Sequence, residues 1–156
     1  MNAKPLLIAA VLLPLAACMP HRIPGTDIDD TDDTRQILGL MEKYRAAVES
    51  KDTLGSVSRV ADTFRDDGGS TTPDDDLDYT TLRTRLPERF AKIDSLKLDI
   101  NVRRIRVRED KTASAVYNYV ASWRMPGLTS RPENASDIKE MSFKQVGGQW
   151  KIASGI

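Results

Sequence analysis

The chain has 156 residues, with 23 Lys and Arg set against 23 Asp and Glu, one histidine and one cysteine. A formal net charge of zero leaves no field of one sign to draw the whole chain onto nucleic acid. A lone cysteine excludes an intrachain disulfide, and a lone histidine, His21, excludes a multi-histidine metal site and Ser/His/Asp catalysis within a folded pocket.

The amino-terminal stretch differs from everything after it. Lys4 supplies a positive start, Leu6 to Ala17 form an uncharged apolar run of twelve, and the small residues Ala16 and Ala17 precede Cys18. The run is shorter than the roughly 20 apolar residues that cross a bilayer, and residues 1–17 read as an export signal. Leu15-Ala16-Ala17-Cys18 resembles the lipobox of bacterial lipoproteins. The resemblance implies cleavage between Ala17 and Cys18, a diacylglyceryl group on the Cys18 thiol, and an acylated new amino terminus carrying fatty chains such as palmitate. Two or three chains anchor firmly where one is marginal, since each buried methylene contributes about 0.8 kcal/mol. Met19, where an aspartate would suggest retention at the inner membrane, implies the outer membrane of the cell envelope.

From Met19 to Asp33 the chain carries Pro20, Pro24, Gly25 and five aspartates, with Ile23 and Ile28 as its isoleucines. So little apolar surface cannot offset the entropy of ordering, which predicts a flexible tether over residues 18–33. Such a segment reaches on the order of 20 Å. Its aspartate spacing lacks the glycine and glutamate of a calcium-binding loop, so no metal is expected there.

Residues 34–156 have the length of one domain. Ile37, Met41, Tyr44 and Val48 recur at helical spacing between Thr34 and Ser50, with Thr31, Asp32 or Asp33 able to cap. Asp52 offers a second cap before Leu54, Val57, Ala61 and Phe64, again at helical spacing. Asp66 to Asp78, rich in Gly and Asp, predicts a loop. Leu82, Leu86, Phe90 and Ile93 then predict a third helix capped by Asp78, with Pro87 expected to kink it or start a new turn.

From Ser95 the period becomes two. Leu96, Leu98, Ile100 and Val102 alternate with polar residues, after which the phase jumps to Ile105 and Val107, predicting a β-bulge at Arg103 and Arg104. Thr112 to Met125 predicts a second long strand with Ala113, Ala115, Tyr117, Tyr119, Ala121 and Trp123 on one face. Pro126 to Ser136 reads as a loop. Ile138 to Val146 and Gln149 to Ile156 read as a hairpin through Gly147-Gly148, with Met141, Phe143, Trp150 and Ile152 inward.

Helices followed by long antiparallel strands make an α+β order. Tyr44-Arg45-Ala46-Ala47-Val48-Glu49-Ser50-Lys51-Asp52 is similar to the end of the first helix of SnoaL-like domains, the superfamily of nuclear transport factor two and ketosteroid isomerase. Gly147-Gly148-Gln149-Trp150-Lys151-Ile152-Ala153-Ser154-Gly155 resembles their last hairpin. The resemblance implies a cone in which a strongly curved sheet wraps the first helix and opens at one end as a pocket. Tyr44, Phe64, Tyr117, Tyr119, Trp123 and Trp150 are its candidate lining residues, and Asp62 is the one carboxylate placed to act as a catalyst. Three readings stay open: a non-enzymatic envelope lipoprotein that binds a small apolar ligand or a protein partner, an isomerase- or hydrolase-type enzyme, and an adapter that docks or forms a homodimer through its sheet. No cofactor is expected. Arg104, Arg106 and Arg108 read as a solvated sheet face.

Overall fold

The computed structural model describes residues 21–68, 76–127 and 131–156. The expected signal, its cleavage position Ala17 and the acylated Cys18 lie outside the described residues. Among the described residues no helix is long and apolar enough to cross a membrane.

The chain folds as α1 (Asp32–Glu49), α2 (Thr53–Val57), β1 (Arg65–Asp66), β2 (Leu77–Asp78), α3 (Tyr79–Ala91), β3 (Ser95–Val107), β4 (Thr112–Arg124), β5 (Glu133–Val146) and β6 (Gln149–Ser154). The four long strands form one antiparallel sheet in the order β3-β4-β5-β6. Curving around α1, this sheet receives Ile37, Met41 and Tyr44 against Ala113, Ala115, Tyr117, Met141, Phe143 and Ile152. The small alanines of β4 leave room for the larger side chains of the helix, as the alternation predicts.

The bulge is where the phase jump places it. Val102 pairs with Tyr117 and Arg104 with Val116, so Arg103 is the extra residue, and the strand bends while Ile100, Val102 and Ile105 all keep facing inward. Arg45 then fastens the bent strand to α1, donating to Glu42 and Glu49 at 2.7–2.8 Å and to the Leu98 carbonyl at 3.1 Å. Gly147 and Gly148 take positive φ, as the two-residue hairpin requires.

Four expectations are corrected. First, the tether does not extend to residue 33. Residues 21–30 close a small turn in which the Ile23 amide donates to Ile28 O (2.9 Å) and the Asp30 amide to His21 O (2.6 Å). Ile28 is only 1% exposed, and Thr34 Oγ1 donates to Asp29 O at 2.5 Å while Thr31 caps α1. One well-placed isoleucine and a capping box thus order a segment whose composition alone argued for disorder. Second, the helix after Asp52 stops at Val57: Leu54 is 82% exposed, and the following residues pair with β6, Ile152 N donating to Arg59 O (3.0 Å) and Ala61 N to Ile152 O (2.8 Å). Third, the loop after Pro126 is shorter, because Glu133 to Ser136 already pair with Trp123 to Val120. Fourth, the predicted loop from Asp66 to Asp78 begins and ends in strand, Asp66 pairing with Leu77 and Arg65 with Asp78. Helix α3 runs through Pro87 to Ala91 as one element.

Candidate functional site

A cavity of about 240 Å³ opens at one end of the cone, between α1 and the concave face of the sheet. Helix α1 contributes Tyr44 and Val48, β3 contributes Leu98 and Ile100, and β4 contributes Tyr117, Tyr119 and Ala121. Lys139 and Met141 from β5, with Ile156, complete the wall. The register explains the grouping: Leu98 faces Ala121, Ile100 faces Tyr119, and Tyr117 faces Lys139.

Three of the six aromatic candidates therefore meet in the cavity, and three do not. Phe64 is 1% exposed and belongs to the core beside the cone. Trp123 is half-buried near the far end of β4, opposite Leu96 and Glu133. Trp150 lies on the other flank of α1, where its indole donates to Asp33 Oδ1 at 2.9 Å. Asp62 is exposed and lines a separate shallow hollow with Thr63, Arg65 and Asp78, outside the cone. The loss of helix after Val57 accounts for this, since Asp62 was placed inward by a helical spacing that the chain abandons.

Polar chemistry inside the cone comes from three phenols and one ammonium. The Tyr117 hydroxyl donates to Gly155 O at 2.8 Å. Lys139 Nζ lies 5.8 Å from the centre of the Tyr119 ring and donates to Ile156 O at 3.3 Å. Burial pushes the Tyr44 hydroxyl pKa well up, and the neighbouring Tyr117 and Asp66 push it further. Tyr117 is raised in the same way, by burial first and then by Asp66 and Tyr119. Both phenols stay protonated at neutral pH, so they can donate or accept hydrogen bonds but cannot serve as bases there.

Asp66 and Lys139 were not among the sequence candidates. Asp66 Oδ2 accepts the amides of Gly155 (3.0 Å) and Ile156 (2.9 Å), and its Oδ1 accepts Gly68 N (3.2 Å). It clamps residues 155–156 across the cone. Gly155 fits there because its φ is +83° and because a Cβ would strike Glu140 O and come within 2.8 Å of Met141 Cα. Lys139 could have been read from the alternation of Met141 and Phe143 extended by one step toward the strand's start. Among the described residues no group of three or more His, Cys, Asp and Glu is placed to hold a metal ion.

No protein-family model matches the chain, and no curated protein matches it. Solved structures do. The protein Kfla4162 from Kribbella flavida is 15% identical with a TM-score of 0.68, over 79% of this chain and 87% of that one. A scytalone dehydratase candidate from Novosphingobium aromaticivorans is 14% identical with a TM-score of 0.64, over 79% and 80%. A type 2 hexachlorocyclohexane dehydrochlorinase (LinA) is 8% identical with a TM-score of 0.65, over 79% and 82%. At such identities the likeness is one of architecture, and with the strand order and the helix held in the curved sheet it gives this chain the α+β fold of SnoaL-like and nuclear transport factor two-like proteins.

Proposed function

We propose that the chain is a lipid-anchored protein of the bacterial envelope, at the outer membrane, whose cone binds a small apolar molecule without transforming it. The observation that carries the binding half is the cavity wall: aliphatic and aromatic side chains, three phenols, one ammonium, and, among the described residues, no side-chain carboxylate or imidazole. Its volume of about 240 Å³ exceeds the roughly 150 Å³ that accommodates benzene in an apolar protein cavity, and suits a molecule of one or two rings. Lys139 and the hydroxyls of Tyr44 and Tyr119 provide hydrogen-bond donors for one polar substituent, the Tyr117 proton being given to Gly155 O. The anchoring half is supported by the apolar run and Leu15-Ala16-Ala17-Cys18.

The experiment is a titration of the chain with 2-naphthol as probe, beside an Ala121→Phe variant that fills the cavity from β4. Saturable binding of one probe per chain, lost in the variant with its thermal midpoint kept, supports the reading. Binding that the variant leaves intact overturns it. For the anchor, cells fed labelled palmitate should yield labelled protein and an unlabelled Cys18→Ser form.

Two other readings have less behind them. Catalysis of isomerase or hydrolase type is favoured by the enzymes among the structural neighbours, but Asp62 faces solvent and both Asp66 oxygens are taken by main-chain amides. Docking or homodimerisation would use the opposite face of the sheet, where Val120 and Ile138 are 46% and 58% exposed.

A further inference from the structure

A second groove, of about 630 Å³, runs between α1 and β6 and shares no lining residue with the cone. Arg35 and Lys43 reach it from α1, Arg59 from the segment after α2, and Lys151 from β6, while among the described residues no Asp or Glu lines it. Gly39, one helical turn before Lys43, keeps its middle open, since a Cβ there would meet nothing within 4 Å.

The four cations differ in how far they are already satisfied. Arg35 is paired with Asp30 at 2.5 Å and lies 3.9 Å from Asp32. Lys151 Nζ donates to the neutral Ser58 carbonyl at 2.5 Å. Lys43 makes no ion pair among the described residues. Arg59 is the most telling: its Nη1 donates to the Gly55 carbonyl, whereas its Nε is shielded from solvent and has no acceptor among the described residues. The nearby Asp52 accepts the Gly55 amide at 2.9 Å as the cap of α2 and makes no ion pair with Arg59. Three positive charges thus meet at one groove with no carboxylate bound to them, and a guanidinium beside two ammoniums is a donor set that phosphate oxygens satisfy.

We propose that the α1–β6 groove binds a phosphate-bearing ligand through Lys43, Arg59 and Lys151. The number of acceptor oxygens separates phosphate from carboxylate. A phosphomonoester carries about −1.5 to −2 at pH 7 with three acceptor oxygens, one for each of the three donors, whereas a carboxylate has two oxygens and a single charge. Binding turns the Arg59 guanidinium outward and gives its idle N–H groups acceptors. A soluble phosphate monoester and the monoester headgroup of phosphatidic acid share this chemistry.

The test is nuclear magnetic resonance of the isotope-labelled full chain in neutral detergent, titrated with inorganic phosphate at constant ionic strength. The Arg59 Nε–H signal should shift saturably, and Lys43→Gln and Lys151→Gln should each weaken binding about tenfold, as loss of a charge-assisted hydrogen bond predicts, with thermal midpoints unchanged. Competition by phosphatidic acid vesicles but not phosphatidylcholine vesicles assigns the site to a lipid headgroup, and phosphate binding without that competition assigns it to a soluble ester. A shift that does not saturate, that chloride reproduces at the same ionic strength, or that both glutamine variants leave unchanged overturns the site.

Discussion

A phenol gives up its proton only where the anion can be solvated, and Tyr44 and Tyr117 sit where water has little access. Their raised folded-state pKa values mean that the unfolded chain releases these protons first, as pH climbs past about 10. Their contribution to stability is therefore complete below that pH and is lost as the pH rises toward the folded values. Urea unfolding should give a flat midpoint from neutral pH to pH 9 and a falling one above pH 10, steeper by up to about 1.4 kcal/mol per pH unit for each phenol. Tyr44→Phe combined with Tyr117→Phe should flatten that fall; an unchanged slope would mean that the phenols reach solvent. At this scale the sequence was legible where side chains obey a period, as the tyrosines of β4 do. Asp66 was not legible, because its partners at residues 155 and 156 lie about ninety positions away and no local pattern joins them.

Strand β3 shows what period alone can foretell. One misplaced step in an alternating run predicted an extra residue, and the register puts it at Arg103. Deleting Arg103 joins Val102 and Arg104 into a regular ladder with every inward side chain still inward, but it removes the bend. The variant should fold with native circular dichroism in the far ultraviolet, lose about 1–3 kcal/mol as α1 no longer fits the straightened sheet, and bind 2-naphthol more weakly; unaltered binding would show that the bulge does not shape the cone. Where two periods compete, the sequence was less informative. Leu54, Val57, Ala61 and Phe64 hold a helical spacing, yet main-chain pairing with Ile152 captures residues 59–61 and ends the helix. The first residues of β5 read as loop because both their faces are largely exposed, so no alternation marks them.

For the molecule as a whole, the unforeseen feature is that the polar segment before α1 belongs to the domain. Ile28 packs with Ile37, Met41 and Ile105 in the main core. Ile28→Ala should cost about 2–4 kcal/mol in urea unfolding, the price of a buried site, where a residue in a solvated linker would cost almost nothing. Composition pointed the other way because it averages over the stretch, while ordering here depends on one buried side chain and the hydroxyls of Thr31 and Thr34. The position of that segment also bears on the proposed anchor. If Cys18 is acylated as proposed, three residue steps connect the fatty chains to His21, where the folded turn begins, a leash of about 11 Å at full stretch. So short a mooring would prevent the molecule from tumbling freely above the membrane, and would hold the start of α1, together with the Arg35 end of the cationic groove, among the headgroups.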